Sequence, residues 1–224
     1  NNATLLGPIA LNNGIIQIGN TNALGAATAL ATDGTTLSSG AVLDLNGQTT
    51  AEFLSINGAG RTNFTSARNT LGSLVNSAAG AATVSNALVL AAGASVGSDW
   101  INATSGGSAG GGITLNGVVS GAFGLTKVGN NTLTLTAANT FSALAITQGS
   151  VVLSGAGTIG SGGAVTVGSG VVTGITPQNT LSLDYADNAT ANRLTDAQAL
   201  TLNGGALLIS GHATTAVSES LTTG

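Results

Sequence analysis

Short runs in which apolar and polar residues alternate recur along the chain, separated by bends rich in Gly, Asn and Thr. Three of these runs, 125–128, 133–136 and 144–153 with a break at Gly149, fall in the densest stretch, 124–153. A period of two sends one row of side chains to a buried face and the other to water, so each run predicts a half-buried strand. Gly129-Asn130-Asn131 and Ala138-Asn139-Thr140 read as the turns between them. Further strands are expected at 15–18, 82–84, 87–90, 118–119, 165–167, 181–183 and 206–209. The alanine-rich 21–31 contains Gly25 and lacks a polar opposite face, so it predicts loop or strand rather than helix.

A pentapeptide of the same alternating type, closed by Asn-Gly, appears four times. It occurs as Leu43-Asp44-Leu45-Asn46-Gly47, Leu54-Ser55-Ile56-Asn57-Gly58, Ile113-Thr114-Leu115-Asn116-Gly117 and Leu200-Thr201-Leu202-Asn203-Gly204. Asn and Gly tolerate positive φ, so each pair marks a sharp bend at a strand end. Two all-β architectures follow. Asn-Gly between alternating runs is a hairpin signal and predicts an antiparallel β-sandwich. A hairpin needs a second alternating run directly after the turn, and 48–52 and 59–63 do not supply one. The preferred expectation is a right-handed parallel β-helix, a β-solenoid whose bends carry the chain onto successive faces.

Composition narrows the class. With 42% hydrophobic residues the chain can build a core, and Val, Leu, Ile and Ala carry it because aromatics are only 3%. Charged residues are 5%, against roughly 25% in ordinary soluble domains. The four basic residues, Arg61, Arg68, Lys127 and Arg193, are scattered and offer no footprint for nucleic acid. No apolar run approaches the roughly 20 residues of a membrane-spanning helix, so the segment is not expected to span a membrane that way. Cysteine is absent, which excludes disulfides and thiolate metal sites. Methionine is absent too, so the expectation is a processed product or a segment of something longer.

Gly124-Leu125-Thr126-Lys127-Val128-Gly129, Thr132-Leu133-Thr134-Leu135 and Ala138-Asn139-Thr140-Phe141-Ser142 follow one another in a fixed order. Together they resemble the autotransporter-associated β-strand repeat of bacterial surface and secreted proteins, with 124–153 the clearest unit. At Ala143-Leu144-Ala145 the chain departs from the Gly-Gly-Thr usual in that family, which points to a reshaped bend there. The segments 43–60 and 183–205 look like the same superfamily. The resemblance implies a parallel β-helix in the exported passenger part of a large bacterial protein, outside the cell, attached to the outer membrane or released. On this reading, residues 1–224 form one solenoid segment of a longer repeat protein. At about 20 residues and about 4.8 Å per coil, some eleven coils would make a rod on the order of 50 Å.

Candidate chemistry is sparse. Polysaccharide-degrading β-helices need two carboxyls facing a cleft, whereas Asp33, Asp44, Glu52, Asp99, Asp184, Asp187, Asp196 and Glu219 are dispersed singly. Alternation after Leu43 and Leu183 turns Asp44 and Asp184 toward solvent. Asp184, Asp187 and Asn188 could ligate Ca²⁺, although an Asx-stabilised turn explains them better. His212 stands alone and is expected in an exposed loop. The Gly-rich 106–112 and 160–163 lead into no helix N-terminus and predict no phosphate cradle. Trp100 and Tyr185 could stack on sugars or simply cover bends. No catalytic, cofactor-binding or metal-ligating residue is therefore expected, and no cofactor.

The function expected is a non-enzymatic structural or adhesive segment. Its partners would be further copies of itself, joined through rod ends or faces into a rod, filament or sheath, and a host or neighbouring-cell surface. Scarce surface charge removes the usual device against edge pairing. The alternative is a carbohydrate-binding or polysaccharide-degrading β-helix.

Overall fold

A computed structural model describes residues 7–25, 31–61, 72–97, 110–160, 162–170, 179–189 and 192–221. The first coil of chain carries β1 (Ile9–Leu11) and β2 (Gly14–Gln17). The second holds β3 (Thr35–Leu37), β4 (Ala41–Asp44) and β5 (Thr49–Thr50), and the third β6 (Leu54–Gly58), β7 (Leu74–Val75) and β8 (Ala82–Val84). In the fourth, β9 (Leu88–Val96) runs through one corner and β10 (Ile113–Leu115) follows. The fifth has β11 (Val119–Ser120), β12 (Gly124–Lys127) and β13 (Thr132–Leu135); the sixth β14 (Ala138–Asn139), β15 (Ala143–Ile146) and β16 (Gly149–Leu153). The seventh has β17 (Thr158–Ile159), β18 (Val165–Val167) and β19 (Asn179–Asp184), and the eighth β20 (Leu200–Leu202) and β21 (Ala206–Ser210).

Every registered strand pair joins neighbouring coils and runs parallel. Three columns result. One is β5-β8-β10-β13-β16-β19-β21. A second is β2-β4-β7, the far half of β9, then β12-β15-β18-β20. The third begins β1-β3-β6, the near half of β9, then β11, and continues through the β14-β17 pair to a bridge between Ile159 and Leu194. β9 belongs to two columns because it spans the corner between them, which merges twelve strands into one sheet.

The architecture is thus a parallel β-solenoid, and the antiparallel sandwich is set aside. The bend at Asn46-Gly47 shows why. Both residues have positive φ, +47° and +72°, and Gln48 N donates to Leu45 O at 2.8 Å, which closes a tight turn. The flanking strands do not then pair with each other. β4 bonds to β2 and β7, and β5 to β8, so each finds its partner in another coil.

Inward rows make the core. In one column Val84, Leu115, Leu135, Leu153 and Leu183 lie in register, and in another Leu125, Leu144 and Val165; all are buried. The outward neighbours in the first column are Thr49, Thr83, Thr114 and Thr134, a threonine ladder with β-branched side chains suited to a pleated surface. The strands at 82–84 and 165–167 coincide with expectation.

Other expectations are revised. Ala138-Asn139 is strand β14 rather than turn, and Ala143-Leu144-Ala145 is strand, in register with both β12 and β18, instead of a reshaped bend. β1, β3, β5, β7 and β17 have no counterpart among the expected strands. Among the described residues eight coils are traced, against the eleven expected. Leu133 and Val151 stand 18 residues apart but Thr50 and Val84 stand 34 apart, so the length of chain per coil varies.

Candidate functional site

Two cations expected to be unremarkable are fully buried. Lys127 shares the inward row of β12 with Leu125, and in the next coil Ile146 takes its place. Its Nζ donates to Val128 O at 2.7 Å, Gly129 O at 2.6 Å and Gln148 O at 3.4 Å. Burial pushes the Lys127 ammonium down to about 7. The three carbonyls act the other way, because they match the three N–H donors of the charged form. Gly149 leaves room for this arrangement. It has φ +70°, and a Cβ there would stand 2.4 Å from Gly129 O and 2.9 Å from Nζ. The amine is thus wholly buried and engaged by backbone carbonyls of its own bend and the next coil.

Arg193 does the same work near the end of the stack. Its Nη1 donates to Gly157 O at 2.7 Å, and its Nη2 reaches Gly155 O, Asp184 O and Asn188 O. The guanidinium lies 4.5 Å from the centroid of the buried Tyr185 ring, a cation–π contact. Burial pulls the Arg193 pKa down, and the nearby Tyr185, Asp184 and Glu219 oppose that. Tyr185 Oη donates to Glu219; burial first, then that bond and charge, push the phenol up to about 12. The Glu219 carboxylate also accepts the backbone N–H groups of Arg193 and Leu194 at 2.9 and 2.7 Å, so it stands where a further strand's carbonyls would.

The carboxylates depart from expectation at one point. Asp44 is buried, not solvent-facing. Alternation does point it away from the coil axis, but Gln17 and the Ser77 bend cover that side. Its oxygens accept Gln17 Nε2, Ser77 Oγ, and the backbone N–H of Asn46 and Ser77 at 2.6–3.0 Å. Asp184 is half-buried, and its Oδ1 accepts Ala186 N at 3.0 Å in an Asx turn. The Asp184 and Asn188 carbonyls already face the Arg193 cation, which opposes a calcium ion there. Glu52 is buried; burial raises its pKa, a Thr35 hydrogen bond opposes this, and the Asp33 charge adds to the rise.

The remaining candidates do not converge. His212 is half-buried, its Nδ1 accepting the N–H groups of Thr214 and Thr215. Trp100, Asp99 and Arg68 lie outside the described residues, as does most of 106–112. Among the described residues no cluster of three or more His, Cys, Asp or Glu could hold a metal, and no helix is long and apolar enough to cross a membrane.

Polar interior groups work between coils instead. Asn139 Oδ1 accepts Val119 N at 2.8 Å, and its Nδ2 donates to Ala137 O and Thr158 O, so one amide joins three coils. Asn76 likewise accepts Gly47 N and donates to the carbonyls of Gly80, Gly111 and Gly112. Asn139 was read only as a turn residue and Asn76 was not singled out, since the alternation does not show that either side chain turns inward.

The most distinctive surface is the eighth coil. Leu202 continues the row of Val96, Lys127, Ile146 and Val167, and Ile209 the row ending in Leu183; both are about half exposed, at 50% and 51%. Leu208, in the outward row, is exposed as well. Comparison of the chain with protein families, with characterised proteins and with solved structures gives no match.

Proposed function

We propose that the chain is a non-enzymatic structural or adhesive segment of an exported bacterial cell-surface protein, and that it self-associates through the ends of its stack. The single observation that carries this reading is the eighth coil. There the core rows present Leu202 and Ile209 half exposed, beside β20 and β21, each bonded on one side only among the described residues. An edge of parallel amides over aliphatic side chains is satisfied by another coil of the same kind. The resemblance of 124–153 to the autotransporter-associated repeat supports the export and surface assignment.

Sedimentation of the purified chain over a range of concentrations, with electron microscopy of the same samples, tests this. The expected result is concentration-dependent association into short rods or fibres, weakened by the double substitution Leu202→Ser, Ile209→Ser. A monomer independent of concentration overturns it. The carbohydrate-active alternative would draw on Glu52, whose pKa is raised by burial and, to a lesser degree, by the charge of Asp33. A glycan array and a reducing-sugar assay separate the two readings, and we expect neither binding nor cleavage.

A further inference from the structure

The three columns differ at the eighth coil. β20 and β21 are each bonded on one side only among the described residues, and their inward Leu202 and Ile209 are half exposed. The third column is closed instead. Its row reaches Leu194 through the bridge from Ile159, whose N–H donates to Arg193 O at 2.8 Å. One level further on, the Leu194 N–H donates to Glu219 Oε1 at 2.7 Å, and the Arg193 N–H adds a bond to Oε2 at 2.9 Å. The Leu194 amide, which a parallel strand would take with a carbonyl, thus ends on a carboxylate. A side-chain oxygen already plays that part inside the stack, where Asn139 Oδ1 accepts Val119 N at 2.8 Å.

We propose that residues 211–221 form a latch, in which Glu219 imitates the next strand of the third column and keeps that edge from being joined until it is released. None of these residues lies in a strand, and 213–216, 218, 220 and 221 are exposed. Their hold on the coil beneath is concentrated at one side chain. Glu219 also accepts the Tyr185 hydroxyl, whereas Ser218 O takes only a long bond, 3.4 Å, from Asn192 N, and Val217 is a partly buried contact on the core. Hydrogen bonds to an ionised carboxylate are strong, but the entropy of ordering an exposed segment opposes them residue by residue. A segment with few buried contacts and exposed backbone opens locally at low free energy. Covering a strand edge with a loop is also a known way for a sheet to avoid pairing with another chain.

The occupant that the latch excludes is β1 of a second copy. β1 opens the same column and is itself bonded on one side only among the described residues. Its Ile9 and Leu11 are partly buried against the core, the same kind of contact that Leu194 makes. A strand of that kind set over Leu194 takes its amide with a backbone carbonyl and displaces Glu219. This gating rests on the self-association proposed above; the latch itself does not.

Amide hydrogen exchange and sedimentation of Glu219→Ala beside the wild-type chain test both parts. Asp187→Ala, which removes an exposed carboxylate outside the latch, is the control for charge. In Glu219→Ala the Arg193 and Leu194 amides should exchange at least about tenfold faster, as when an open state populated at about 10% or less becomes the rule. The amides of Leu133 and Val151, inside the stack, should keep their rates. Association should set in at a concentration lower by about the same factor, because the competent fraction limits the apparent affinity. The control should change neither. Unchanged exchange at Arg193 and Leu194, or faster exchange throughout the stack, overturns the latch. Faster exchange at those two amides with association equal to or weaker than wild type overturns the gating and leaves association through the ends standing. If neither protein associates at any concentration, the earlier reading falls and the gating with it, while the exchange rates still decide whether Glu219 holds the segment.

Discussion

The fifth to seventh coils and the eighth coil are built from the same rows, yet they differ in burial. Leu135, Leu153 and Leu183 are wholly buried, whereas Ile209, next in the row, is half exposed. The residue type is equivalent, and so is its inward direction. What differs is that, among the described residues, a further strand lies over each of the first three and none lies over Ile209. Burial in this fold is supplied by the neighbour rather than by the coil itself, which is the nearest-neighbour logic of a stacked repeat. The two buried cations fit the same comparison. Lys127 is enclosed by its own bend and the next coil's Gln148, while Arg193 gathers carbonyls from two coils and is closed over by Tyr185 and Glu219.

The comparison can be broken most severely in the interior. Leu135→Ala should lower the unfolding free energy by about 2–5 kcal/mol in chemical denaturation, the cost of a cavity in a packed core. Arg193→Ala should cost at least about 3 kcal/mol, since it strands carbonyls of Gly155, Gly157, Asp184 and Asn188 that water cannot easily reach. Gly149→Ala should cost about 2 kcal/mol or more, because a side chain at φ +70° is strained and its Cβ meets two backbone oxygens.

Lys127 sharpens the contrast through pH. Its folded pKa, about 7, lies below the ordinary lysine value, so between about 7 and about 10.4 the unfolded chain holds more protons. Unfolding free energy should therefore rise with pH across that window. The gain is at most about 4–5 kcal/mol, and smaller to the extent that the three carbonyls hold the ammonium. Lys127→Met should flatten that slope; an unchanged slope would remove Lys127 as its source. The smallest effect is expected at the open end. Ile209→Ala should cost less than about 1 kcal/mol, since half of the side chain is already in water.

The interior rows were legible in the sequence because alternation at Leu133-Thr134-Leu135 or Val165-Thr166-Val167 is the direct imprint of a face that is half buried. The solenoid itself followed from what Asn46-Gly47 lacks, a second alternating run to fold back onto. Coil length was not legible, since the spacing between stacked partners changes from 18 residues at Leu133 and Val151 to 34 at Thr50 and Val84. Nor was the burial of Asp44. Alternation says which way a side chain points, but not whether Gln17 and Ser77, 27 and 33 residues away, will cover it. Lys127 could have been found: it falls two residues after Leu125, on the inward parity. Arg193 carries no such signal, because its partners are backbone carbonyls, which every residue possesses.

The account rests most heavily on coils stacking in parallel and in register. Spin labels at Thr83 and Leu208 are joined by five registered steps, through Thr114, Thr134, Val152 and Ser182. Dipolar spectroscopy should give a separation of about 24 Å, falling by about 5 Å when the first label moves to Thr114 and by about 5 Å again at Thr134. Distances that do not shorten step by step, or that place Thr83 and Thr134 at equal range from Leu208, would contradict the stack.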